Sequence, residues 1–187
     1  LGAQGRIGRQ NGVPGLTAVS SRAGVFSRAL LEDAGGFDES LPGELADADL
    51  ALRGLLLGYS TGSAPGATVL TDDVTLLRGE GPSNADSARA WGRGRLRFAL
   101  KSLPRETWED AGPALLVEVS RELFSAALHR RHAGAMVLGL ADGVREAKDV
   151  LAERRKVLGR RRVGAAYVRD AFGATALPGA VPGGDPS

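Results

Sequence analysis

Gly35-Gly36 and Gly58 divide the most patterned part of this 187-residue chain into two short helices with a loop between them. Glycine accepts the left-handed backbone that a helix end adopts, so each of these positions stops the helix before it. Ser27 can cap a helix that runs to Ala34, with Glu32 and Asp33 near its end. A loop around Pro42-Gly43 follows. Asp47 to Leu57 then reads as a second helix, with Leu52, Leu55 and Leu56 on one face. In that register Asp47 and Asp49 lie in the first turn, where the helix dipole favours negative charge. Short strands are expected at Val13 to Ser21, and at Tyr59 to Thr61 and Thr68 to Thr71 around a turn at Ser63-Ala64-Pro65-Gly66.

The second part of the chain has a different texture. Asp86 to Leu103 is a basic helical stretch ended by Pro104. After Gly112-Pro113, Leu116, Val119, Leu123 and Ala127 keep helical spacing, as do Met136, Leu140, Val144, Ala147 and Leu151. These two helices are expected to form a hairpin around Arg130 to Gly134. Up to Gly112 the chain has 12 Lys/Arg against 14 Asp/Glu, and beyond it 12 against 8, so the basic charge is carried by the C-terminal part. Gly173 to Ser187, rich in glycine and proline, reads as disordered. The expected organisation is a unit over 1–84, a basic helical extension over 85–172, and a tail over 173–187.

Composition removes several function classes. There is no cysteine, hence no disulfide scaffold, thiolate metal site or cysteine nucleophile. His129 and His132 are the only histidines, too few for a histidine-rich metal site. The longest apolar stretch, Ala133 to Ala141, is about half of what a membrane span needs. The first residues carry no apolar signal region.

Taken together, the motifs are less ordinary than each is alone. Gly35-Gly36-Phe37-Asp38-Glu39 is followed by Asp47-Ala48-Asp49-Leu50-Ala51-Leu52-Arg53 and by Gly58-Tyr59. Arg95 to Pro104 reads RLRFALKSLP. This series resembles the C-terminal half of the catalytic domain of family 2 glycosyltransferases, over Gly15 to Pro104 and more loosely to Val163. The resemblance implies an α/β fold, a partial GT-A (Rossmann-like nucleotide-sugar transferase) fold, followed by an α-helical C-terminal region, so that this chain is mostly α.

The resemblance also implies the chemistry. It is inverting transfer of a sugar from a nucleotide-sugar donor to a glycan or lipid-linked acceptor, with a divalent metal, Mg²⁺ or Mn²⁺, in the complete enzyme. Asp47 matches the position of the general base. Gly15, Thr17, Phe37, Asp38 and Asp49 are candidate substrate-binding residues. Asp49 is expected to fix the helix start by hydrogen bonds, and Arg53 to be a surface or ion-pair residue.

Asp72-Asp73 stands where relatives carry histidine, so these two are candidate metal ligands, with a solvated turn as the alternative. No unit matching the donor-binding half with its DxD is found, so the donor site is expected to be missing and the chain alone inactive.

The basic segments, Arg89 to Arg105 and Arg154 to Arg162, are either solvated helix faces or a contact for an anionic membrane surface. The corresponding location is cytoplasmic, peripheral at the inner face of the plasma membrane. Nucleic acid is the rival partner of such helices, but none of its recognition patterns is present, so it is not expected. A non-catalytic basic helical module and a plain structural domain are the alternatives to the transferase reading. Both leave the GGFDE–DADLALR–GY series unexplained.

Overall fold

The computed structural model describes residues 24–61, 82–108, 112–113, 116–117, 119–121, 124 and 132–173. Among them every regular element is helical and no strand occurs. In chain order these are α1 (Arg28–Ala34), α2 (Gly43–Leu56), α3 (Ala85–Ser102), a short 3₁₀ turn (Arg105–Thr107), α4 (Ala133–Gly159) and α5 (Ala165–Gly173). The described residues between 112 and 124 are helical as well, Gly112 and Pro113 included. The expected strands at Val13 to Ser21 and Thr68 to Thr71 lie outside the described residues. Tyr59 to Thr61 is not a strand: the Tyr59 amide is spent on the Gly54 carbonyl, closing the end of α2.

The helix ends follow local chemistry. Ser27 accepts from the Leu30 amide and caps α1. Gly35 and Gly36 both have positive φ, and both amides return to the Leu31 carbonyl. Gly58 is left-handed too, with its amide on Leu55 and that of Tyr59 on Gly54, the paired bonds of a Schellman stop. Asn84 and Ser87 form a reciprocal capping box at the start of α3. One boundary differs from expectation. α2 begins at Gly43, with Pro42 at its N-cap and Glu44 in its first turn. Asp47 is therefore the fifth residue of the helix and Asp49 the seventh. Neither sits in the first turn, and Glu44 supplies the acid there.

α4 packs against α3, and the two run parallel. Arg89 pairs with Asp142, Arg93 with Glu146 and Arg97 with Glu153, while Arg154 donates to the Leu100 carbonyl. Both partners ascend in step. The expected hairpin partner region includes residues 125–131, which lie outside the described residues; among those described, the principal partner of α4 is α3.

Small residues let the two backbones meet. A Cβ on Gly139 would fall on the Arg89 carbonyl oxygen, and one on Gly92 on the Met136 carbonyl oxygen. Gly139 and Gly143 are one helical turn apart, as are Ala88 and Gly92 on the facing helix.

The core joins α2, α3 and α5. Leu52, Leu55 and Leu56 pack with Ala99, Leu103, Val168 and Ala171, bordered by Phe98, Trp108, Val157 and Tyr167. Residues on both sides of position 84 thus share one core. No described helix is long and apolar enough to cross a membrane.

Candidate functional site

Among the described residues α2 and the last turn of α3 carry the buried charge, beside the loop from α1 to α2. Gly35 and Gly36 turn the chain out of α1, and Phe37 packs its ring edge-to-face on Phe26 at 5.4 Å. Asp38 then points inward. Its Oδ1 accepts from the Ser40 amide at 3.0 Å and from the Ser40 hydroxyl at 2.5 Å. Its Oδ2 accepts from Lys101 Nζ at 2.6 Å and lies 3.4 Å from Arg97 Nε. Pro42 closes the loop against α3, where a Cβ on Gly94 would lie 2.5 Å from the proline Cδ.

Asp49 is fully buried, and Lys101 Nζ bridges to its Oδ2 at 3.3 Å. The same oxygen accepts from Arg53 Nε at 2.8 Å and lies 2.6 Å from Nη2 of that guanidinium, and Oδ1 accepts from the Ser102 hydroxyl. Arg53 Nη1 reaches the Ala34 carbonyl at 2.5 Å, so this guanidinium joins α2 to the end of α1. With Glu153 on Arg97 the network holds three cations and three carboxylates. Such balance offsets the cost of burying each charge.

The expected roles shift accordingly. Asp49 does not fix the start of a helix; it locks the middle of α2 to α3. Arg53 is an ion-pair residue, as one of its two expected roles had it, and a buried one, 7% exposed.

Burial works to raise the Asp38 carboxyl. Hydrogen bonds from Lys101 and Ser40, together with the Lys101 charge, outweigh it and hold the group well below the usual carboxylate range. Held in this way, Asp38 ties the loop after α1 to the end of α3.

Asp47, two residues before Asp49, lies about 200° away around α2 and so on nearly the opposite face. It is buried at 7% exposure. Phe37 is exposed at the rim of the loop. Gly15, Thr17, Asp72 and Asp73 lie outside the described residues. Among the described residues no group of three His, Asp or Glu side chains is placed to hold a metal ion.

A second cluster involves the Tyr59 of the Gly-Tyr pair. Its hydroxyl donates to Asp33 at 2.9 Å, and Arg162 Nη1 reaches the same oxygen at 2.9 Å. The Tyr59 bond, more than the Arg162 charge, lowers the Asp33 carboxyl, and the same bond raises the phenol. The Arg162 amide also donates to the Leu56 carbonyl. Tyr59 and Arg162 thereby pin the chain after α4 onto α1 and α2.

Sequence reasoning did not single out Lys101, Ser102 or Arg97 as site residues. A signal was present: Arg89, Arg93, Arg97 and Lys101 recur every four residues and so share one helix face. Compared with protein-family models, curated proteins and solved structures, the chain matches none.

Proposed function

We infer that this chain is the acceptor-side part of a GT-A glycosyltransferase catalytic domain of family 2 type, acting on a nucleotide-sugar donor and a glycan or lipid-linked acceptor. The observation that supports the reading is the convergence of its three sequence segments. Asp38 of GGFDE and Asp49 of DADLALR meet on one ammonium, that of Lys101 in RLRFALKS. Segments more than fifty residues apart in sequence behave as one built unit, whereas a chance set of motifs has no reason to meet.

In this reading the Asp38–Lys101–Asp49 network is a frame. It fixes α2, and with it Asp47, relative to the loop that follows α1. The acceptor hydroxyl oxygen attacks the anomeric carbon and the bond from that carbon to the leaving diphosphate breaks. The hydroxyl proton passes to the Asp47 carboxylate. The donor and its divalent metal belong to the complete enzyme, and no role of α2 depends on that metal. Membrane contact, if it accompanies transfer, falls to exposed cations such as Arg155, Lys156 and Arg160, because Arg89, Arg93 and Arg97 already face acids of α4.

Asp47→Asn in the intact transferase tests the assignment. The amide keeps the size of the side chain and cannot take the proton. Turnover with a panel of UDP-, GDP- and dTDP-hexoses is expected to fall about 10²- to 10⁴-fold at unchanged melting temperature. Retention of more than about a tenth of wild-type kcat, below that penalty, removes Asp47 as the base. Surviving turnover with a collapsed melting temperature makes it structural.

A further inference from the structure

α3, the 3₁₀ turn and α4 leave a cleft of about 420 Å³, lined by Leu100, Arg105, Trp108, Leu151 and Arg154. It shares no residue with the Asp38–Asp49 network. Leu100, Leu151 and the Trp108 indole form apolar walls, and the charged groups are two guanidinium ions. No carboxylate lines it among the described residues. Arg154 is held in place by donating to the Leu100 carbonyl at 2.9 Å, which uses one of its five N–H donors. Glu106, beside Arg105 in sequence, is engaged by Arg161. Burial, and then the Arg105 charge, push the Arg154 guanidinium down from its ordinary value against a smaller pull from Glu106. Two like charges at one cleft repel each other, and an anion between them relieves the repulsion.

The shape of the charges narrows the anion. Planar guanidinium groups match phosphate oxygens two at a time. A phosphoryl group offers three oxygens to two separate guanidinium groups, one more than a carboxylate has. An indole and two leucines beside the charges favour a ligand with an apolar or flat portion. We propose that this cleft binds a phosphate ester bearing an apolar or aromatic group, Arg105 and Arg154 taking the phosphoryl oxygens and Trp108, Leu100 and Leu151 the remainder. The site is independent of the transferase reading.

Trp108 is itself the reporter. The chain has two tryptophans, and Trp91 lies under Arg95 at 5.4 Å. In a Trp91→Phe background only Trp108 emits. Titration with phenyl phosphate is expected to change that emission saturably, and inorganic phosphate, which lacks the apolar part, to bind more weakly. Arg105 is exposed, so Arg105→Gln leaves the packing intact and is expected to weaken phenyl phosphate about tenfold, the loss of a charged hydrogen-bond partner. Arg154→Lys keeps the charge, loses the fork and is expected to weaken it less. Phosphatidylglycerol vesicles that displace phenyl phosphate assign the site to a lipid headgroup. Saturable phenyl phosphate binding that vesicles leave unchanged assigns it to a soluble ester. Unchanged Trp108 emission through millimolar phenyl phosphate, or equal affinity in Arg105→Gln, overturns the proposal.

Discussion

At Lys101 a single ammonium, 6% exposed, faces carboxylates from two distant parts of the chain. Removing one partner of a buried ion pair costs about 3–5 kcal/mol, because the charge left behind is uncompensated. Lys101→Met is expected near the lower end, about 3 kcal/mol by urea unfolding, since Arg53 and Ser102 still hold Asp49 and Ser40 still holds Asp38. A loss below about 1 kcal/mol, the range of exposed pairs, would show that the bridge contributes little. At this scale the sequence was legible wherever chemistry is local. The Ser27 cap and the glycine stops follow from backbone preference, whereas the pairing of Asp49 with Arg53, although the two are four residues apart, was not read. The burial of that pair was not legible, because it depends on Lys101, which comes from another helix. Asp47 was misplaced in the helix for a simpler reason. Pro42-Gly43 reads as loop, whereas proline here occupies the N-cap and the helix starts one turn earlier.

At the scale of elements, glycine inside a helix normally lowers stability by about 1 kcal/mol relative to alanine. Gly139 reverses that expectation. Its missing Cβ is where the α3 backbone lies, so Gly139→Ala must push the two helices apart. Overpacking of this kind costs about 1–3 kcal/mol, and here the obstacle is a carbonyl rather than a yielding side chain. Gly139→Ala is therefore expected to melt lower than wild type. Gly134→Ala, on the same helix with nothing within 4 Å of its added Cβ, is expected to melt at or above it. Equal behaviour of the two variants would mean that close approach does not hold the pair. From sequence alone these glycines look only like weak helix formers. Their role needs the partner helix, which is α3.

For the molecule as a whole, Asp33, Asp38, Asp142 and Glu106 all sit below their ordinary values through hydrogen bonds and nearby cations. The folded chain thus binds fewer protons than the unfolded chain in acid. Each such group stabilises the fold above its unfolded value, about 4 for a carboxylate. That stability is lost as pH falls through the depressed folded value. Thermal melts are expected to be nearly flat from about pH 5 to 8 with respect to these groups and to fall below about pH 4. Asp38→Asn should start lower and decline less steeply; a slope equal to that of wild type would take Asp38 out of the account.

The parallel pairing of α3 and α4 also sets a delay during synthesis. Arg97 and its partner Glu153 are separated by 56 positions, and Arg89 and Asp142 by 53. At about 5–20 residues per second, α3 leaves the ribosome roughly 3–10 s before the acids that neutralise it. Over that interval Arg89 and Arg93 lack their partners from α4, and the bare backbone at Gly92 has no neighbour from α4 to cover it. A nascent chain in this state is a cationic helix open to whatever polyanion or chaperone it meets, and it loses that character once α4 has been made.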